Sequence, residues 1–93
     1  MIGTLELLKY DLQRNGQELG DDAYLKSLLQ AAERHLNRQG ILPTPDYDYV
    51  QIVVGTAAWM YRKRVTGEAE PAYLKAMRHD LLASQKMRGN GGA

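Results

Sequence analysis

The chain has 93 residues, with 12 basic against 11 acidic side chains for a net charge of +1, and no cysteine. This length makes one domain with a thin core, since such a chain buries roughly 60–65% of its unfolded surface. The charge balance argues against non-specific nucleic-acid binding as the main task, and the missing thiols exclude disulfides and thiolate metal sites.

The N-terminus carries Glu6 and no basic run before an apolar core, so it does not read as a secretory signal. Thr4 is a suitable N-cap, and Leu5, Leu8 and Leu12 follow at helical spacing. A first helix is therefore expected over 5–14, with Leu7 and Tyr10 off its main stripe. Asn15-Gly16 supplies the left-handed stop and 17–20 a loop. Asp21 caps the second helix, and Asp22 in its first turn suits the positive end of the dipole. Leu25, Leu28, Leu29, Ala32 and Leu36 mark its buried face, bordered by Tyr24, Ala31 and His35. Lys26, Gln30, Arg34 and Asn37 form the wet face, and Gly40 closes the helix. Pro43 and Pro45 stiffen the connector.

Thr44-Pro45 opens the third helix, expected over 45–65, because Thr caps and Pro is tolerated at the first helical position. Asp46 and Asp48 stand at its positive end and Arg62, Lys63 and Arg64 at its negative end. One face carries Val50, Val53, Val54, Ala57, Tyr61 and Val65. The other carries Ile52, Gly55, Thr56 and Trp59, where a surface helix would be polar. A helix apolar nearly all round is covered on more than one side. Two readings stay open: this second face packs on the first or fourth helix, or it is a subunit interface centred on Trp59. The apolar run is too short to span a bilayer, which needs about 20 apolar residues, so a soluble protein without membrane contact is expected. Gly67 stops the helix, and Pro71 stands where a fourth begins. Leu74, Met77 and Leu81 give the fourth stripe, which runs to about Lys86. The glycine-rich tail 88–93 has nothing to pack and is expected to be disordered in the free subunit. The fold class is all-α: a compact bundle of about four helices over 1–87 with a flexible tail.

No constellation for catalysis is visible. Ser27 and Ser84 sit in no strand–turn–helix elbow. His35 reads as a packing residue and His79 as a surface residue. The acid pairs Asp21-Asp22 and Asp46-x-Asp48 lie at helix starts, where capping accounts for them, and lack the ligand spacing of a calcium loop. No catalytic, cofactor or metal site is expected. Arg62-Lys63-Arg64 is the one basic cluster. It reads as a helix end that complements the dipole, or as a contact to an acidic partner or to DNA phosphates.

With these elements in place, the chain resembles the head–tail connector (adaptor, or head-completion) proteins of tailed bacteriophages. Three features carry the resemblance, over about residues 4–88. The first is the run of Asp21-Asp22, Leu25, Leu28-Leu29 and Ala31-Ala32 after an opening helix. The second is a proline-led apolar helix ending in Tyr61-x-x-Arg64. The third is a proline-containing link into a short closing helix with an arginine. The link, 68–71, is shorter than in many members, and Arg62-Lys63-Arg64 is more basic than the usual mixed end. The resemblance implies a non-catalytic structural subunit of the virion, made in the host cytoplasm and placed at the head–tail junction. It implies a homo-oligomeric ring, typically a dodecamer, beneath the portal protein. The ring extends the DNA channel without sequence-specific DNA binding and receives a stopper or tail-completion protein. Ile52, Gly55, Thr56 and Trp59 are then the candidate subunit interface. Arg62, Lys63, Arg64, Gln85, Lys86 and Arg88 are the candidate partner contacts, with 85–93 as the portal-docking segment. The alternative is a small helical nucleic-acid-binding or regulatory module using Arg62, Lys63, Arg64, Arg78 and Lys86.

Overall fold

The structure, a computed structural model, describes residues 4–14, 21–44 and 46–92, apart from the side chains of 65 and 88–92. Four helices make up the fold: α1 (Thr4–Arg14), α2 (Asp22–Arg38), α3 (Tyr47–Thr66) and α4 (Ala72–Gly92). Among the described residues there is no strand, and no helix is long and apolar enough to cross a membrane.

The helix α1 buries Leu8 and Leu12, with Leu5 and Leu7 packed partly against the core and Tyr10 exposed. Thr4 is its first helical residue rather than a cap outside it. The expected stop at Asn15-Gly16 and the loop over 17–20 lie outside the described residues.

At the start of α2 the Asp21 carboxylate accepts a 2.7 Å hydrogen bond from the Tyr24 amide, which satisfies one of the unpaired first-turn donors. Leu25, Leu29, Ala32 and Leu36 are buried, and Leu28 packs partly. The helix ends in a Schellman turn. Gly40 takes φ of 91° and its amide donates to the Asn37 carbonyl, while the Ile41 amide donates to the Leu36 carbonyl. A side chain other than glycine would strain that left-handed position. Ile41 is fully buried, so the turn also delivers an apolar side chain to the core.

The third helix begins two residues later than Thr44-Pro45 predicts. Asp46 is the cap residue but its side chain makes no cap bond. The Thr44 hydroxyl instead accepts from the Asp46 amide at 3.4 Å, so Thr44 orders the approach rather than the helix itself. Pro45 lies outside the described residues. Every position over 52–59 of α3 is buried, which is what a helix without a polar face requires. Three elements provide the cover, because α1, α2 and α4 all pack on α3. Gly67 ends α3 with φ of 71° and donates to the Lys63 carbonyl.

The link 67–71 folds back along α3. As a result α4 starts beside the middle of α3, with Leu74 against Gly55. Leu74 and Leu81 are buried, and Met77 and Leu82 pack partly. The sequence pattern ends α4 near Lys86, whereas its backbone stays helical to Gly92. Of the tail expected over 88–93, the side chains and Ala93 lie outside the described residues.

Candidate functional site

The four residues of the sequence-derived interface, Ile52, Gly55, Thr56 and Trp59, have their neighbours inside this chain. Ile52 is 1% exposed, Thr56 3% and Trp59 8%, and Gly55 is buried. Gly55 is where α4 comes closest: a methyl added there would stand 2.6 Å from Leu74 Cδ2. The absent side chain is what lets Leu74 seat on α3. The Trp59 indole donates to the Glu68 carbonyl at 3.1 Å, tying the returning link to α3. Its ring lies 6.4 Å from that of His35 and 4.9 Å from the Lys63 ammonium. The second apolar face of α3 is therefore covered by α4, the link and α2, and leaves little surface for another subunit.

The basic end of α3 is likewise engaged. The Arg62 guanidinium lies 3.2 Å from the Glu68 carboxylate and 3.7 Å from that of Asp11, and its side chain is only 15% exposed. This one cation joins α1, α3 and the link. Arg64 lies over the Tyr24 ring at 5.1 Å, and Tyr24 meets Tyr61 at 6.1 Å. A hydrogen bond to Tyr24 pushes the Arg64 guanidinium further into its charged form. Lys63 stays exposed above Trp59. Tyr24, Tyr61, Arg64 and the Asp21 cap thus form one node where α2 starts and α3 ends. Arg78, weighed as a phosphate contact, is paired with Glu70.

Of the other candidate contacts, Gln85 has a structural task. Its amide donates to the Leu42 carbonyl and accepts from the Leu42 amide, both at 2.8 Å. Two complementary bonds satisfy a whole backbone unit of the α2–α3 connector and fix α4 to it. No local pattern predicts this pair, because the residues are 43 apart in sequence. Lys86 is exposed, and the Arg88 side chain lies outside the described residues. His35 is half-buried beside Trp59 with Gln39 at 3.4 Å, and His79 is exposed. Among the described residues, no three His, Cys, Asp or Glu side chains come together as a metal site.

One open groove, of about 520 Å³, runs between the first turn of α3 and the middle of α4. Asp46, Asp48 and Asp80 supply its charge, Met77 and Leu81 its apolar floor, and Ser84 a hydroxyl. The sequence shows Asp46 and Asp48 only as helix-start residues and gives Asp80 no role. Their meeting depends on α4 lying antiparallel to α3.

Comparison with protein-family models, curated proteins and solved structures finds no match.

Proposed function

We propose that this chain is a structural, protein-binding subunit: a head–tail connector of a tailed bacteriophage, which assembles into a ring beneath the portal and helps join head to tail. The observation that carries the reading is the node at the end of α3. Asp21 on one side and Tyr61 and Arg64 on the other, which are among the residues by which the sequence resembles that family, are joined there through Tyr24, a residue outside the matched positions, by capping, ring and cation–ring geometry. A pattern shared with a family is more informative when its members form one physical unit than when they lie scattered.

The alternative, a nucleic-acid-binding or regulatory module, loses two of its five contacts. Arg62 is paired with Asp11 and Glu68 and Arg78 with Glu70, whereas Lys63 and Arg64, over Trp59 and Tyr24, and Lys86 stay exposed. Salt-sensitive gel shifts by the isolated chain at micromolar concentration would revive it.

The reading is tested by mixing the purified chain with a cognate portal protein and following the mixture by sedimentation and electron microscopy. The expected result is a ring stacked on the portal. Monomer alone, with and without portal, would end the proposal.

A further inference from the structure

The two flanks of α3 carry opposite charge on their outer surfaces. The helices α2 and α4 each pack on α3 and share no substantial contact with each other among the described residues. On α2, Lys26, Gln30, Arg34 and Arg38 follow at every fourth position, so they form one outward stripe. All four are exposed, and none of the three cations is in an ion pair among the described residues. Glu33 borders the stripe, and Asp22 at its start is already bound by Lys9 at 2.8 Å. On the other flank lies the acidic groove. Asp46 has an interaction within the chain, so Asp48 and Asp80 carry the argument; both are exposed and outside any ion pair among the described residues. Among the described residues, no cation of α4 is in an ion pair with either of them. Lys75 and Lys86 stand roughly 120–140° around the helix from Asp80, at about 100° per residue.

We infer that the groove lined by Asp48, Asp80, Met77 and Leu81 receives the α2 stripe of a second copy of this chain, Lys26, Arg34 and Arg38, in a head-to-tail contact. Charge complementarity selects the occupant. The groove presents carboxylates above an apolar floor, and arginine and lysine present cationic heads on apolar stems, so each part of the stripe finds its counterpart. No ion pair joins the stripe to Asp48 or Asp80 within the chain among the described residues, so both surfaces stay available to another copy. Such a contact is heterologous and propagates, closing into a ring or running on as a filament according to the rotation per subunit. The inference rests on the proposed function for the expectation that copies meet, and it replaces the buried face of α3 as the place where they do.

Sedimentation velocity of the full chain, from micromolar to about 1 mM and at low and high salt, tests it. Concentration-dependent assembly that weakens with salt is expected. Arg34→Glu and Asp80→Lys should each weaken assembly at least about tenfold, and one chain carrying both substitutions should recover most of it, because the pair is restored with its sign reversed. Circular dichroism checks the fold of each, and Arg38→Glu and Asp48→Lys serve as second variants of the same surfaces. A wild-type chain that assembles but ignores these substitutions, or a double swap that recovers nothing, overturns this contact while leaving the connector reading standing. A chain that stays monomeric throughout, with or without the portal, overturns both.

Discussion

The two seams of α3 are built differently. Against α2 the seam is continuous: Leu25, Leu29, Ala32 and Leu36 are buried along the helix, and Ile41 extends the line through the Schellman turn. At about 1.5–3 kcal/mol for each large apolar side chain, this seam dominates the stability of the fold. Against α4 only Leu74 and Leu81 are buried, and Met77 and Leu82 pack partly. There the helix is held by a close approach at Gly55 and by polar ties, Gln85 to Leu42 and Arg78 to Glu70. The first seam is set by hydrophobic area, the second by fit at a few points. A chain built this way has a firm α1–α2–α3 body and a fourth helix that opens at lower cost.

The largest effect is expected on the first seam. Leu36→Ala removes a side chain with no exposed surface and should cost about 2–5 kcal/mol in urea unfolding, as a global loss. A loss below about 1 kcal/mol would show that α2 is not the main support. The second seam should break locally. Gly55→Val drives a branched side chain into Leu74 and should cost about 1–3 kcal/mol, with amide exchange rising in α4 more than in α2. Gly55→Ala is the milder control, because a gain of about 1 kcal/mol in helix propensity opposes the clash. Uniform acceleration across all four helices in the Val variant would show that α4 is not a separable unit.

The first seam was also the more legible in sequence. Its signals are local: a five-position leucine and alanine stripe, an aspartate cap and a closing glycine; the structure buries four of the five, packs Leu28 partly, and keeps the cap and the glycine in those roles. The burial of α3 was legible too, because Ile52, Gly55 and Trp59 stand where polar residues belong. The pattern did not say which neighbour covers them, and that neighbour is largely the fourth helix with its returning link. The start of α3 was misplaced because Thr44, Pro45 and Asp46 all carry helix-start chemistry, and only the chain path chooses among them. The charges were least legible. Arg62-Lys63-Arg64 looks open in sequence, yet its partners Asp11, Tyr24 and Glu68 come from three other segments. The acidic groove was hidden for the same reason, since Asp48 and Asp80 meet only through the α3–α4 packing. Local periodicity finds what a helix buries; it cannot find what a distant side chain neutralises.

The smallest expected effect has the opposite sign and probes a defect in the stronger seam. Tyr49 is 6% exposed, and its hydroxyl is buried without a hydrogen-bond partner among the described residues. Leaving such a group unpaired costs about 1–3 kcal/mol, whereas the ring beneath it is well packed. Tyr49→Phe keeps the ring and removes the hydroxyl, so at neutral pH it should be neutral or stabilising by up to about 1 kcal/mol. Alkaline pH sharpens the test. Burial, and then the nearby Glu33 charge, raise the phenol's pKa above its ordinary 10.0 in the folded chain. The folded state therefore holds this proton more tightly than the unfolded state does. Its contribution is complete below pH 10 and is lost as pH rises through the folded value. Wild type should accordingly weaken above pH 10 relative to Tyr49→Phe, which has no such proton. Urea unfolding of both proteins at pH 7 and above pH 10 measures the gap. A variant less stable than wild type by more than about 1 kcal/mol at pH 7 would mean that the hydroxyl is bonded after all, through a buried water.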